Sequence, residues 1–198
     1  DNWYYDLTNQ TWKQIDATNG PSGRVGHGFV AAGGFLYVFG GLVSSGSDVN
    51  DFFRFDPLTG CWTNLSSVSN APSPREQFVM RSFDRFLYVF GGTVLQVNNE
   101  AVNNVPVGEV WQYDTALETW TLLIDKRNWG PASQAQFGMS TFSSDSTIFF
   151  YGGIDTNAVI QSNLFLFNAS RARLAAPNTT QGLAAWSIAN RTTINNTQ

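Results

Sequence analysis

The chain has 198 residues, 42% of them apolar and 15% aromatic, with only 13% charged and a net charge of −4. That is ample material for a packed core, and two lysines with no basic stripe argue against nucleic acid or an anionic membrane as a partner. No apolar run approaches the roughly 20 residues of a membrane-spanning helix, and a single histidine and a single cysteine leave little for metal or acid–base chemistry.

Taken in chain order, the elements repeat. Residues 1–15 hold two short apolar runs, with Tyr5-Asp6 followed by Trp12. Residues 21–65 open on Pro21-Ser22-Gly23-Arg24, run through Phe35-Leu36-Tyr37-Val38-Phe39-Gly40-Gly41, reach Phe55-Asp56 and close on Trp62. Residues 72–123 keep that order with Pro72-Ser73-Pro74-Arg75, Phe86-Leu87-Tyr88-Val89-Phe90-Gly91-Gly92, Tyr113-Asp114 and Trp120. Residues 131–176 follow more loosely, with Gln134 at the Arg place, Gly152-Gly153 at the diglycine, Phe167-Asn168 for aromatic-Asp and Leu174 for Trp. Residues 177–198 read as the start of one more unit. Self-similarity at this period marks a repeat architecture whose unit is a small block of secondary structure.

Within each unit four apolar runs, rich in Val, Phe, Tyr and Trp, are too short for helices and are separated by turn residues. In the first full unit they predict strand A over 25–32, B over 35–39, C over 51–55 and D over 61–65. Gly33-Gly34 and Asp84-Arg85 supply A–B turns and Pro57-Leu58-Thr59-Gly60 a C–D turn. The expected fold class is all-β. Each Asp at the end of strand C should accept a backbone N–H two residues on, and the diglycines should allow close approach of one unit to the next.

The combination of Arg24, Gly26-His27, Gly40-Gly41, Phe55-Asp56 and Trp62 resembles the kelch repeat, the blade of one class of β-propeller. The resemblance covers essentially the whole chain and implies blades of four antiparallel strands, A nearest the central channel and D outermost. Counted so, the chain supplies about three and a half blades of a ring that resemblance closes with six or seven. The expectation is an incomplete ring, completed by blades of the same longer chain or of another copy.

No catalytic residue, cofactor or metal ligand is expected from this sequence. His27 falls where the other units carry Phe78 and Phe137, a place for a buried ring. Arg24, Arg75 and Gln134 open strand A in successive units; in kelch-like proteins such positions contribute to recognition, and the alternative is an arginine stapling the loop carbonyls of its own blade. Alternating strand direction puts the B–C loops (42–50, 93–108, 154–161) and D–A loops (16–20, 66–71, 124–130) on one face, where recognition residues are normally displayed. Candidates there are Glu100 and Asn103 in the long polar 93–108 loop, and Trp129 beside Lys126, Asp125 and Arg127.

Six N-x-S/T sequons start at Asn9, Asn64, Asn168, Asn178, Asn190 and Asn195, against about three expected by chance from the composition. They favour a secreted or cell-surface glycoprotein over a cytoplasmic location. The expected function is a non-catalytic binding or assembly module that recognises a protein or glycan. The alternatives are a channel-mouth enzyme, oxidase-like and completed by other blades, and a structural unit of an extracellular assembly.

Overall fold

The structure is a computed structural model that describes residues 2–15, 18–98, 101–125, 134–135, 138–142, 146–155, 157, 159–160, 162, 164–169 and 186–188. It begins with a hairpin of β1 (Asn2–Asp6) and β2 (Thr11–Ile15). The first full blade carries β3 (Arg24–Val25), β4 (Gly28–Ala32), β5 (Phe35–Phe39), β6 (Leu42–Val43), β7 (Phe52–Asp56) and β8 (Cys61–Asn64). The second carries β9 (Val79–Phe83), β10 (Phe86–Phe90), β11 (Thr93–Asn98), β12 (Ala101–Pro106), β13 (Val110–Asp114) and β14 (Thr119–Ile124). The third carries β15 (Gln134–Ala135), β16 (Gly138–Phe142), β17 (Thr147–Tyr151), β18 (Ile154–Asp155), β19 (Leu164–Asn168) and β20 (Trp186–Ile188).

Among the described residues three antiparallel four-stranded sheets result, ordered β4-β5-β7-β8, β9-β10-β13-β14 and β16-β17-β19-β20. This is the all-β, incomplete propeller that the repeat implied. Strand A differs from expectation: it is divided, and its first residues leave the sheet to pair elsewhere, Arg24 opposite Val43 and Val25 opposite Leu42. The third blade also departs from its expected outline. Its outer strand is β20, with Trp186 in register with Phe167, so residues 186–188 complete this sheet instead of opening a further blade.

The aromatic-Asp…Trp spacing has a simple cause. In each C–D hairpin the aromatic faces the Trp across the ladder: Tyr5 opposite Trp12, Phe55 opposite Trp62 and Tyr113 opposite Trp120. Their ring centroids lie 5.3, 5.0 and 5.0 Å apart, within the range of favourable tilted pairs. The intervening Asp closes the turn as expected: Asp6, Asp56 and Asp114 each accept the N–H two residues on, from Thr8, Leu58 and Ala116 at 2.8–2.9 Å.

Strand alternation then decides which neighbour each side chain meets. Leu87 and Val89 of β10 join Tyr37, Phe39 and Phe52 of the first blade in one core, together with Tyr113 and Trp120. Tyr88 and Phe90, one residue out of phase, join Ile148, Phe150 and Phe167 of the third blade in another. Edge-on rings knit both seams, with Phe52 4.7 Å from Tyr113 and Phe90 4.7 Å from Phe150. Each such pair adds about 0.5–1.5 kcal/mol beyond the area it buries. The second blade, sealed on both faces, is the centre of the described structure.

Candidate binding face

The diglycines set up the face. Both residues of each pair have positive φ: 63° and 98° at Gly40-Gly41, 61° and 94° at Gly91-Gly92, 75° and 100° at Gly152-Gly153. A side chain would also collide, since a Cβ on Gly92 would lie 2.6 Å from the Cβ of Phe78 and 2.7 Å from the Glu76 carbonyl oxygen. Freed of both constraints, the chain swings from strand B onto the next blade, and the Gly41 N–H donates to the Arg75 carbonyl at 2.8 Å. The start of each B–C connection lies against the start of its own strand A, as β3–β6, as β15–β18 and as the Glu76–Thr93 bridge. The B–C and D–A loops therefore share one face.

Two arginines rivet that face. Arg75 has no exposed side-chain surface. Its Nε donates to the Ser73 carbonyl at 3.1 Å, Nη1 to the Gly91 carbonyl at 3.1 Å, and Nη2 to Ser73 Oγ at 3.0 Å and Glu109 Oε2 at 2.6 Å. Arg24 repeats the set one blade earlier, reaching the Ser22 and Gly40 carbonyls at 3.0 Å and Asp51 with both terminal nitrogens. Burial pushes the Arg75 guanidinium down in pKa while Glu109 pushes it back. Both guanidiniums thus make the bonds of the stapling alternative, and Arg75 offers none of its surface to a partner. Gln134 occupies the same register position in the third blade, its backbone paired with Asp155.

The acidic halves of these staples went unread in the sequence, although a signal existed. Asp51 and Glu109 each stand one residue ahead of strand C, and the third unit has Asn163 there. At these two places the sequence carries Arg with Asp, Arg with Glu and Gln with Asn in successive units.

The long polar loop expected over 93–108 is instead a hairpin, β11 paired with β12 from Thr93–Pro106 to Asn98–Ala101. Val94 stands opposite Val105 and Val97 opposite Val102, so β-branched residues pair twice across this ladder. Asn103 lies in β12 opposite Gln96, while Glu100 and Trp129 lie outside the described residues. Of the sequons, Asn9 and Asn64 are exposed; Asn168 is half-buried at the end of β19; Asn178, Asn190 and Asn195 lie outside the described residues.

Between the β6–β7 connection and this hairpin runs a groove of about 520 Å³, lined by Ser47, Asp48, Ser73, Pro74, Val94, Leu95, Val107 and Glu109. Val94 and Val107 are buried in its floor, whereas Leu95 is 49% exposed. Asp48 Oδ2 is enclosed and has no hydrogen-bond partner. Burial raises the Asp48 carboxyl, and burial together with Asp48 raises that of Glu76. A second cavity of about 360 Å³ lies between the first hairpin and the first blade, lined by Trp3, Ile15, His27, Phe29 and Trp62 among others. His27 is exposed there, unlike the buried Phe78 of the next blade, which corrects the expectation of an enclosed ring. Phe78 packs on Phe39 of the preceding blade at 5.6 Å, whereas beside His27 only the β1–β2 hairpin is described. Among the described residues no three His, Cys, Asp or Glu side chains are placed to hold a metal ion.

Residues 1–192 match the family model of the KLHDC2/KLHL20/DRC7 Kelch-repeats domain. The chain belongs to the kelch-repeat family. It is 28% identical to Kelch-like protein 15 of Mus musculus over 181 residues, 83% of this chain and 28% of that protein. Shorter similarities reach tRNA wybutosine-synthesizing protein 2/3/4 of Arabidopsis thaliana, 34% over 41% of this chain and 8% of that protein, and Multiple epidermal growth factor-like domains protein 8 of Rattus norvegicus, 37% over 44% of this chain and 3% of that protein. This kelch segment therefore spans just over a quarter of the Kelch-like protein 15 that it matches. Kelch repeats generally mediate protein binding.

Proposed function

We propose that this kelch segment is a non-catalytic protein-binding module, and that the partner docks on the face formed by the B–C and D–A loops. The observation that carries this reading is the groove itself. Arg75, Glu109 and the diglycines fix its backbone, yet Leu95 stands half out of it. A preformed concave surface with an unsatisfied apolar rim is suited to recognition, and fold alone would not choose between the two ends of the blades. In this reading the ring is completed by further blades of the same polypeptide or of another copy.

A photo-crosslinking amino acid at position 95 in the parent protein tests it, with position 58 as control. Leu58 is 96% exposed and sits in a C–D turn at the opposite end of the blade. Partner adducts should form from position 95 and not from 58. Adducts from 58 alone, or equally from both, overturn the assignment of the face.

We propose separately that the parent protein is a secreted or surface glycoprotein, because Asn9 and Asn64 are both exposed within sequons. An intact mass unchanged by deglycosylation of the natively expressed protein refutes that.

A further inference from the structure

The chemistry of the groove narrows the partner, on the assumption that this face binds as proposed above. We propose that the groove takes a peptide segment in which a lysine or arginine is flanked by aliphatic residues.

The groove's lining is mixed: Pro74, Val94, Leu95 and Val107 are apolar, and Ser47, Ser73, Asp48 and Glu109 are polar. Its volume of about 520 Å³ suits a few side chains of an inserted segment. The two acids differ in what they need. Glu109 Oε2 already accepts Arg75 Nη2 at 2.6 Å and Trp111 Nε1 at 2.9 Å, so its charge is matched from within. Asp48 Oδ2 is enclosed without a partner, and an enclosed carboxylate oxygen is costly until a donor reaches it.

Among the described residues, neither arginine of this face is turned to Asp48. Arg75 is wholly enclosed and engaged by its own blade, and Arg24 is turned to Asp51. Asp48 in turn helps to raise the Glu76 carboxyl, so a second acid lies within its electrostatic reach. An incoming ammonium or guanidinium is the group that matches this acidic lining, the Asp48 side chain turning to meet it, and Leu95 with Val94 takes the aliphatic neighbours. An acidic segment is repelled. A bare metal ion is a poorer fit, since no set of three suitable ligands surrounds Asp48 among the described residues.

The test is selection of a phage-displayed library of random 12-residue peptides on the immobilised parent protein, followed by fluorescence anisotropy of the enriched peptides. Enriched sequences should carry Lys or Arg beside Leu, Ile or Val. Their affinity should fall at least tenfold with Asp48→Asn and with Leu95→Ser, recover with Asp48→Glu, weaken as salt rises, and stay unchanged with Leu58→Ser. Enriched peptides that are acidic or uncharged, yet weakened by Leu95→Ser, overturn the basic–aliphatic assignment and leave the face standing. Peptides insensitive to both groove substitutions, or a library that yields no binder, overturn this inference and count against the face as well. Matching unfolding curves for the variants show that lost binding is not lost structure.

Discussion

Replacing Arg75 by methionine keeps most of the side-chain volume and removes every polar bond that the guanidinium makes. Four acceptors lose a donor: the Gly91 carbonyl, the Ser73 carbonyl, Ser73 Oγ and Glu109 Oε2. Breaking a buried ion pair by deleting one partner costs about 3–5 kcal/mol. Glu109 keeps 18% of its side chain exposed and retains Trp111 as a donor, so it is partly rehydrated and the loss falls at the low end, about 3 kcal/mol. The same change at Arg24 should cost less, about 1–2 kcal/mol, because Asp51 is 30% exposed and is more readily solvated. Adding Glu109→Gln to Arg75→Met should restore part of the loss, since the remaining group is then neutral. Urea unfolding followed by tryptophan fluorescence reads all of these, provided the m value is constant. An Arg75→Met chain within about 0.5 kcal/mol of the parent, or one less affected than Arg24→Met, refutes the reasoning.

Other consequences follow from burial, dihedral angle and charge. Trp120→Ala removes a ring that is 5% exposed and touches Phe39 and Phe52 at 5.2 and 5.3 Å, and should cost about 3–5 kcal/mol. Trp12→Ala at the same register, where the ring is 66% exposed, should cost under about 1 kcal/mol; similar losses at both sites would contradict the stacking of the blades. Gly92→Ala combines a φ of 94° with contacts of 2.6–2.7 Å and should lose at least about 2 kcal/mol in chemical unfolding. Gly33→Asn, in an open turn with a φ of 58°, should stay within about 0.5 kcal/mol. Burial raises the folded-state pKa of Glu76, so ionising it costs stability above that pKa and the cost vanishes as acid protonates it. Glu76→Gln should therefore be more stable than the parent at pH 7, with a gap that narrows on acidification; thermal unfolding across pH shows it, and a gap that widens in acid contradicts the assignment.

Much of the fold was legible because its rules are local. Tyr5, Phe55 and Tyr113 lie seven residues before their Trp partners because a tight C–D turn sets that spacing, and Asp6, Asp56 and Asp114 close the turns through neighbouring N–H groups. The diglycines were readable for the same reason: both residues of each pair take a positive φ at the same point of every unit. What escaped notice is non-local or breaks the period. Asp51 pairs with Arg24 across 27 residues, and Glu109 with Arg75 across 34, so the acidic residue looks like an ordinary strand opener until the units are aligned. The β11–β12 hairpin lengthens what is a single bridge in the other units, Leu42 with Asp48 and Ile154 with Ile160, and its asparagines masked the strand signal of its valines. Strand β20 arrives far later in its unit than Trp12, Trp62 or Trp120 do in theirs, which led the repeat count to assign it to a new blade. The places of Arg24 and Arg75 at the head of strand A do not reveal whether a guanidinium points outward or back into its own loops.

The account rests on wedge-shaped sheets that seal one another, with the second blade enclosed on both faces. Amide hydrogen exchange of the native chain, resolved to single residues, measures that enclosure most directly. Amides of β10, where Leu87, Tyr88 and Val89 are fully buried and the strand is paired on both sides, should exchange slowest. Those of β1 and β2, whose Trp3, Tyr4, Tyr5 and Trp12 are 42–66% exposed, should exchange fastest among the paired strands. Equal protection of β1 and β10, or faster exchange in β10, would contradict the stacked-blade architecture.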